Sequence, residues 1–204
     1  MPKVSEDYKE KRRYEILMAA EKVFIEKGFS GTTMTDIVTA SGLSRGGLYH
    51  YFSNTDEVYQ ALLSEKDSEV FEYFQNIESQ YDTIWQAIQG FVGDVGESLH
   101  SSNDSLAPVN LEYFIIGRHE EGRKDFINSR FDEAVTSLTR LLEVGVNKGE
   151  FAPIQPIRTI ACFLLNTIDA MNIQILIMDS EKADIKGQTD ALLIYLKHAL
   201  GITQ

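Results

Sequence analysis

Apolar residues recur along most of the chain at intervals of three and four, the spacing that places them on one face of an α-helix. Strict alternation of apolar and polar residues, which would indicate strands, is scarce. The spacing predicts a first helix over residues 10–27, which Gly28 ends. Its apolar stripe consists of Ile16, Ala19, Ala20, Val23 and Phe24. The pattern therefore predicts an all-α fold.

Two short helices with capping signals follow the first. Thr33 and Asp36 have the spacing of a capping box, in which hydroxyl and carboxylate each accept a hydrogen bond from a backbone N–H at the helix start. Gly42 ends this second helix, and Ser44 caps a third that is predicted to run to about Phe52. Two short helices joined by a tight turn have the layout of a helix-turn-helix, whose second helix lies in the major groove of DNA.

Helical geometry divides the third helix into two faces. The face predicted to pack inward carries Leu48, Tyr51 and Phe52. The opposite face, predicted to meet the groove, carries Arg45, Gly46, Tyr49 and His50. Gly46 and Gly47 each cost about 0.8–1 kcal/mol in a helix interior relative to Ala, which makes sense if bare backbone must approach DNA closely. The alternative is a linker weakened by glycine.

These residues carry a family resemblance. The run from Thr32 to Phe52, which includes Ser-Gly-Leu-Ser-Arg-Gly-Gly-Leu-Tyr-His-Tyr-Phe, resembles the DNA-binding signature of TetR-type repressors, as does the segment from Val23 to Phe29. The specific similarity covers residues 10–70. The resemblance implies a helix-turn-helix DNA-binding domain of three helices over residues 1–55, and a helical ligand-binding and dimerisation domain over residues 56–204 that starts with a connecting helix from residue 55. It also implies a homodimeric repressor of double-stranded operator DNA, released by a small-molecule effector.

The resemblance further implies which residues meet DNA. Phosphates would be bound by Thr33, Ser44, Tyr49 and Thr55, helped where a helix N-terminus faces the anion. Base edges are expected beside Arg45, Gly46 and His50, with Arg45 able to pair with a guanine, and Gly47 is expected to bring bare backbone close to a phosphate or a base edge. The backbone or an adjacent minor groove is expected at Lys11, Arg12 and Arg13, although a solvated helix start explains these three equally well. The family usually has Lys at position 55, so Thr55 predicts slightly weaker salt-dependent binding.

Further helices are predicted over residues 54–77, 82–101, 105–120, 121–148, 157–179 and 188–200. The last two are expected to build the dimer, as the resemblance implies. The helix over 157–179 has apolar residues on more than one side, and the last helix carries the stripe Leu192, Leu193, Leu196 and Leu200. On this interpretation Leu196→Glu would disrupt the dimer. The alternative is a monomer whose helices pack only on each other.

A ligand site is expected among the middle helices, where large rings accompany a few polar groups. The candidate residues are Trp85, Phe91, Glu112, Tyr113, Phe114, His119, Phe163, Asn166, Asp169 and Asn172. Glu112 or Asp169 inside a cavity would favour a cationic ligand. An ordinary core with hydrogen-bonded polar residues explains any single one of these positions more simply.

The net charge of −12 argues against a nucleic-acid partner until its distribution is considered. Residues 1–55 carry eight Lys and Arg against seven Asp and Glu, so the remaining 149 residues hold 11 basic and 24 acidic groups. The DNA-binding candidate is thus a near-neutral segment with local basic clusters on an acidic chain, which suits specific binding and discourages nonspecific binding.

Location and membrane association follow from three features. The N-terminus is polar and lacks the apolar core of a signal peptide, and the lone Cys162 cannot form an intrachain disulfide. We therefore expect the cytoplasm, at the nucleoid when operator is bound. The most apolar stretch, residues 159–178, contains Asp169, and one central Asp costs roughly 2.5–3.5 kcal/mol on insertion scales. We expect a buried helix there and no membrane partner.

Catalysis is not expected. The four histidines, His50, His100, His119 and His198, lack metal-like spacing, and the chain has no nucleophile elbow or P-loop. We expect no metal and no cofactor. Two alternatives stay open: a TetR-like regulator controlled by a protein partner or by no effector, and, less favoured, an all-helical enzyme.

Overall fold

The computed structural model describes residues 6–77, 80–99, 105–178 and 180–202, and every regular element in these ranges is a helix. The predicted all-α fold is confirmed. The helices are α1 (Glu6–Lys27), α2 (Met34–Ser41), α3 (Arg45–Tyr49), α4 (Thr55–Asn76), α5 (Ile84–Ser98), α6 (Ala107–Gly117), α7 (Glu121–Asn147), α8 (Ile157–Ile177), α9 (Ser180–Ala183) and α10 (Ile185–Ala199). The sequence pattern missed the one-turn α9, and α3 ends three residues before the predicted Phe52.

The chain divides into two compact units. The first consists of Met1–Ser68 and Asp104–Lys124, and the second of Glu69–Asn103 and Asp125–Gln204. Helices α4 and α7 each begin in the first unit and end in the second. The division differs from the predicted boundary between residues 55 and 56, because the first unit also contains most of α4 and all of α6.

Four aromatic side chains form the centre of the first unit. Phe24 lies on α1, Phe29 on the turn after it, Tyr59 on α4 and Tyr113 on α6, and all four are buried. The ring centroids of Phe24 and Tyr59 are 4.7 Å apart, and those of Phe29 and Tyr113 are also 4.7 Å apart, both pairs edge-on. Such pairs contribute about 0.5–1.5 kcal/mol beyond their area burial. The cluster therefore joins α1, α4 and α6.

Gly28 satisfies two requirements at the end of α1. Its φ of +73° is the left-handed conformation that glycine adopts without steric cost. A Cβ at this position would also lie 2.7 Å from Oε2 of Glu112 on α6, closer than real side chains approach. The carboxylate of Glu112 is held there because it accepts hydrogen bonds from the backbone N–H groups of Phe29 (2.7 Å) and Ser30 (3.0 Å).

The second unit buries a continuous apolar core drawn from α5, α7, α8 and α10. Representative members are Ile88, Val92, Leu138, Leu142, Leu164, Met171, Leu192 and Leu196. Glu150 fixes the start of α5, because its Oε2 accepts a hydrogen bond from the backbone N–H of Ile84 at 2.7 Å. A carboxylate at a helix N-terminus pairs with a backbone N–H that has no partner within the helix, and its negative charge interacts favourably with the helix dipole.

The apolar stripe assigned to the dimer on α10 was assigned wrongly. Leu192, Leu196 and Leu200 are at most 3% exposed within the single chain, so they belong to the core of their own unit. The large apolar residue that is exposed on this helix is Ile194, whose exposed fraction is 72%. Helical spacing identified an apolar stripe correctly, but it could not tell which of two partners the stripe faces.

Among the described residues, α8 is the one helix long and apolar enough to cross a membrane. A core helix of a soluble protein has the same length and composition. A third of its most apolar window is already buried inside the chain.

Candidate nucleic-acid interface

Helix α3 is short but firmly positioned. Ser44 is its N-cap, and the hydroxyl accepts a hydrogen bond from the backbone N–H of Gly47 at 3.1 Å. Leu48 is fully buried and Phe52, just after the helix, is 5% exposed. The two residues anchor the inner face predicted from the sequence, and Tyr51 beside them is half-buried.

The opposite face of α3 is open. Arg45, Gly46, Tyr49 and His50 are all exposed. The guanidinium carbon of Arg45 lies 5.5 Å from the centre of the Tyr49 ring, so the aromatic face orients the cation without neutralising it. A Cβ at Gly46 would meet no heavy atom within 4 Å. Packing inside the protein therefore does not require glycine at position 46.

Gly47 is more constrained than Gly46. A Cβ there would lie 3.2 Å from the Ser44 hydroxyl and 3.8 Å from the side chain of Leu43. The contact with Leu43 is ordinary packing, but the contact with Ser44 is tighter, so a side chain at position 47 would require the cap hydroxyl to shift by a few tenths of an ångström. The two glycines, equivalent in the sequence pattern, thus differ in their surroundings.

The hydroxyl groups of the two capping residues, Thr33 and Ser44, differ in their hydrogen bonds. Thr33 forms the predicted capping box, but its hydroxyl also donates to Asp36 at 2.7 Å. Lys27 donates to the other oxygen of Asp36 at 2.6 Å, and this hydrogen bond, with those from Thr33, lowers the pKa of Asp36 to about 2. The hydroxyl proton of Thr33 is therefore already used. The Ser44 hydroxyl accepts from Gly47 in its cap, and this hydrogen bond does not use the hydroxyl proton.

Thr55 is the first residue of α4 and is half-buried. The cap next to it is made by Asn54, whose side-chain oxygen accepts from the backbone N–H of Glu57 at 2.8 Å. Glu57 in turn accepts from the backbone N–H of Ser53 at 2.7 Å. The segment between α3 and α4 is thus fixed by local hydrogen bonds.

The basic residues of α1 differ in their surroundings. Lys11 is exposed, and Arg12 pairs with Glu15 at 2.6 Å. Arg13 lies 3.8 Å from Glu65 of α4 and 5.7 Å from the Phe52 ring centre. Arg12 and Arg13 would therefore have to exchange an internal carboxylate for a phosphate on binding DNA.

The candidate ligand residues of the second unit lie in two environments. Trp85 and Phe91 pack against the core, and the rings of Phe91 and Phe74 are 4.9 Å apart. On α8, Phe163 is 44% exposed and contacts Tyr195, with 4.3 Å between ring centres and an angle of 46° between the ring planes. The three polar candidates on α8 are Asn166 and Asp169, both exposed, and Asn172, which donates to the carbonyl of Ile168.

The candidate ligand residues of the first unit are Glu112, Tyr113, Phe114 and His119. Glu112 is engaged by backbone amides, as described above, and His119 is exposed. Phe114 is half-buried, with its ring 6.0 Å from that of Tyr113. Tyr113 donates a hydrogen bond to Asp56 at 2.8 Å, and burial together with that carboxylate raises the pKa of Tyr113 to about 12.

Sequence reasoning missed the partner of Asp56. Arg123, at the start of α7, donates to this carboxylate through Nε at 2.8 Å and also through Nη2. The two residues are separated by 67 positions, so no local pattern connects them. Across the described ranges, no three His, Cys, Asp or Glu side chains are grouped to hold a metal ion, and His100 lies outside those ranges.

Comparison with known proteins agrees with this architecture. Residues 16–62 match the family model of bacterial regulatory proteins of the tetR family, and residues 87–186 match a tetracyclin repressor-like C-terminal domain. The uncharacterized HTH-type transcriptional regulator YfiR of Bacillus subtilis (strain 168) is 39% identical over 98% of this chain and 97% of its own. The HTH-type transcriptional repressor KstR2 of Mycolicibacterium smegmatis is 26% identical over 76% of this chain and 75% of its own.

A solved structure has the same fold. The transcriptional regulator FadR from Bacillus subtilis, in complex with stearoyl-CoA, superposes with a TM-score of 0.66 at 20% identity, covering 90% of this chain and 96% of FadR. Together with the full-length similarity to YfiR, these matches establish the relationship. The chain belongs to the TetR family of DNA-binding, helix-turn-helix transcriptional regulators.

Proposed function

We propose that this regulator is a repressor that binds operator DNA as a homodimer, with α3 in the major groove, and dissociates when a small molecule binds its helical domain. The observation that carries the proposal is the open face of α3: a cation, a bare backbone, a phenol and an imidazole are exposed above a fully buried Leu48. This arrangement suits a helix that reads base edges while its other face is anchored.

Ser44, Tyr49 and Thr55 are the proposed phosphate ligands, and Arg45 the proposed base-reading residue. Ser44 retains its hydroxyl proton, and the Tyr49 hydroxyl extends from an exposed ring. Thr33 contributes through the backbone of its helix start rather than its hydroxyl, since that proton is used by Asp36. Gly46 and Gly47 allow the α3 backbone to come near the DNA.

The experiment is a selection of DNA from a random pool, followed by anisotropy titrations of the selected site. The site should contain two half-sites about one helical turn, roughly 34–36 Å, or a multiple of it apart. Tyr49→Ala should weaken binding to all sequences, whereas Arg45→Ala should also relax preference at one base position. Arg140→Ala, which removes an exposed cation from α7 in the second unit, is the matched control. Equal affinity for selected and random DNA at physiological salt would contradict the proposal.

The homodimer is supported by uncovered apolar residues on α8 and α10. Phe163, Ile173, Ile177 and Ile194 are 40–72% exposed, although the two helices pack together in one unit. On α8 the exposed positions 163, 166, 170, 173 and 177 follow a heptad-like spacing of three and four. A second copy covering this seam is the proposed partner.

The effector is proposed to be a largely apolar small molecule. Support comes from the rings of Trp85, Phe74 and Phe91, which pack against the core of the second unit, and from the fold shared with FadR, whose structure contains stearoyl-CoA. Long-chain acyl-CoA therefore belongs among the first compounds tested by thermal shift. Calorimetric titration of a compound that raises Tm, with and without operator, decides its role, because coupling between two sites is reciprocal. Identical affinities in both titrations would favour regulation by a protein partner or by no effector.

A regulatory rather than catalytic role, exercised in the cytoplasm where operator DNA is accessible, completes the proposal. The relatives named above are transcriptional regulators or repressors. Turnover of a bound compound would contradict the non-catalytic part of the proposal, and mass spectrometry of the compound after incubation with the protein tests it.

A further inference from the structure

Helix α6 and the first turn of α7 make polar contacts with the N-terminal helices at two separate points, the turn before α2 and the first turn of α4. The first is Glu112, whose carboxylate accepts from the amides of Phe29 and Ser30 between α1 and α2. Burial by itself would raise the pKa of Glu112, but hydrogen bonds from the side chain and backbone of Ser30 and from the backbone of Phe29 outweigh it, and the pKa lies below its ordinary value. The carboxylate therefore stays ionised and keeps both amides at neutral pH.

The second point is the Asp56–Arg123 ion pair. The guanidinium of Arg123 donates to both oxygens of Asp56 in a bidentate arrangement, the geometry that combines strength with directional specificity. Tyr113 of α6 donates to the same carboxylate at 2.8 Å and accepts from Gln60 of α4 at 3.0 Å. Three helices, α4, α6 and α7, thus meet at one carboxylate.

The surroundings make this pair selective for arginine. The guanidinium carbon of Arg123 lies 4.8 Å from the ring centres of both Phe29 and Tyr113, so the cation packs beside an edge-on pair of aromatic rings. Its side chain is 11% exposed, and Glu120 provides a second carboxylate at 3.2 Å. Lysine could supply the charge but neither the fork nor the stacking plane.

The position of the Asp56–Arg123 ion pair along α4 and α7 indicates its role. Helices α4 and α7 both pass from the first unit into the second, and Asp56 and Arg123 lie at their first-unit ends. The first turn of α4 is in turn fixed to the segment after α3 through the Ser53–Glu57 hydrogen bond. The Asp56 carboxylate therefore links the start of α7 directly to the helix turn that supports α3.

We propose that the Asp56–Arg123 ion pair is a positioning device, which holds the first turn of α4, and through it α3, in the orientation that binds operator. The inference rests on the proposed function. A half-buried ion pair is weak evidence for a stabilising role, because desolvation offsets most of the Coulomb attraction. A bidentate pair is better suited to holding two helices in one relative orientation. Without it, the binding-competent orientation becomes only a fraction of the population, and operator affinity falls to that fraction of its original value.

The test uses the full-length protein with the variants Arg123→Gln, Asp56→Asn and the double variant. The control is Arg158→Gln, which removes a 2.8 Å ion pair to Asp132 that is exposed and confined to the second unit. Affinity for the selected operator is measured by anisotropy at several salt concentrations. All titrations are made at 25 °C, where circular dichroism establishes that each variant is folded. The double variant, an amide pair without charge, covers the case in which a single variant leaves one charge unpaired and fails to fold.

We expect each single variant to bind operator at least fivefold more weakly, since couplings between sites are usually about 5- to 150-fold. The slope of log affinity against log salt should stay unchanged, because no phosphate contact is lost. The double variant should bind no more than about twofold more weakly than the weaker single variant, as expected for residues that act together. Arg158→Gln should bind like the parent.

Three results would overturn the inference. Folded variants that bind within twofold of the parent would show that orientation does not depend on the pair. A salt slope reduced by about 0.9 in Arg123→Gln would make Arg123 a phosphate ligand instead. Additive losses in the double variant would show independent roles. A parent that enriches no DNA sequence overturns the proposed function itself, and so is distinct from these three.

Discussion

Helices α3 and α8 both leave one face uncovered, and the two faces differ in chemistry. The face of α3 presents Arg45, Gly46, Tyr49 and His50 around a helix of five residues. The face of α8 presents Phe163, Ile173 and Ile177 along 21 residues. A short polar face with accessible backbone suits a polyanion, and a long apolar seam suits a second helix pair. The difference indicates two different partners for one chain, and substitutions on either face should therefore have different effects.

The largest effect is expected for a substitution in the exposed apolar surface of α8 and α10. Ile194→Glu should convert the homodimer to monomer, because burying an unpaired carboxylate in each half of an apolar interface costs several kcal/mol per ion. Sedimentation at micromolar concentration should then report a species near the chain mass of 23.1 kDa, against twice that mass for the parent. Ile154→Glu, the same substitution at a 60% exposed loop residue, should remain dimeric. If the parent itself sediments as a monomer, the proposed homodimer is wrong.

The next effect separates the two faces of α3. Leu48→Ala empties a fully buried position and should lower the free energy of unfolding of the first unit by about 2–5 kcal/mol. Tyr49→Ala, at the adjacent exposed position, should leave stability within about 0.5 kcal/mol and weaken only DNA binding. Urea denaturation followed by circular dichroism, paired with anisotropy titrations, measures both. Equal loss of stability in the two variants would mean that α3 has no free face.

A comparison of the α2–α3 segment with α10 shows what could be predicted from the sequence and what could not. For α2 and α3 the deciding interactions are local: Thr33 with Asp36, Ser44 with Gly47, and Gly42 in the left-handed conformation. Each lies within three residues of its partner, so the sequence pattern contained it and the predicted caps are confirmed. Local signals were sufficient for the helix-turn-helix.

Interactions between distant segments were not accessible in the same way. Leu196 is as apolar as Ile194, but it faces its own core, and only the packing of α10 on α5 and α8 determines that. The Asp56–Arg123 ion pair and the Glu112 contact with Phe29 join residues 67 and 83 positions apart. Composition suggested Glu112 as a ligand residue because a carboxylate on an apolar helix stands out, yet its partners are backbone amides, which no side-chain pattern reveals.

A smaller effect tests whether close approach of DNA is the reason for glycine at position 46 of α3. Gly46→Ala adds a Cβ that meets no protein atom within 4 Å, and Ala is about 0.8–1 kcal/mol more favourable than Gly in a helix interior. Stability should therefore rise, by up to that amount, while operator affinity falls because the new methyl group stands where DNA approaches. Tm and anisotropy measured on the same sample check the opposite signs. A variant that is more stable and binds operator equally well would show that DNA does not approach closely at position 46.

The smallest effect concerns Thr55, where the resemblance predicts a missing cation. Thr55→Lys should add one phosphate contact at the start of α4, because residue 55 is the first of that helix and only half-buried. Each added contact steepens the slope of log affinity against log salt by about 0.9, so the gain over the parent should shrink about threefold between 50 and 200 mM salt. Gln89→Lys adds the same charge at an exposed position of α5 in the second unit and controls for net charge alone. Anisotropy titrations at four salt concentrations separate the two possibilities. If both variants steepen the slope equally, the gain comes from the overall field, and position 55 does not contact a phosphate.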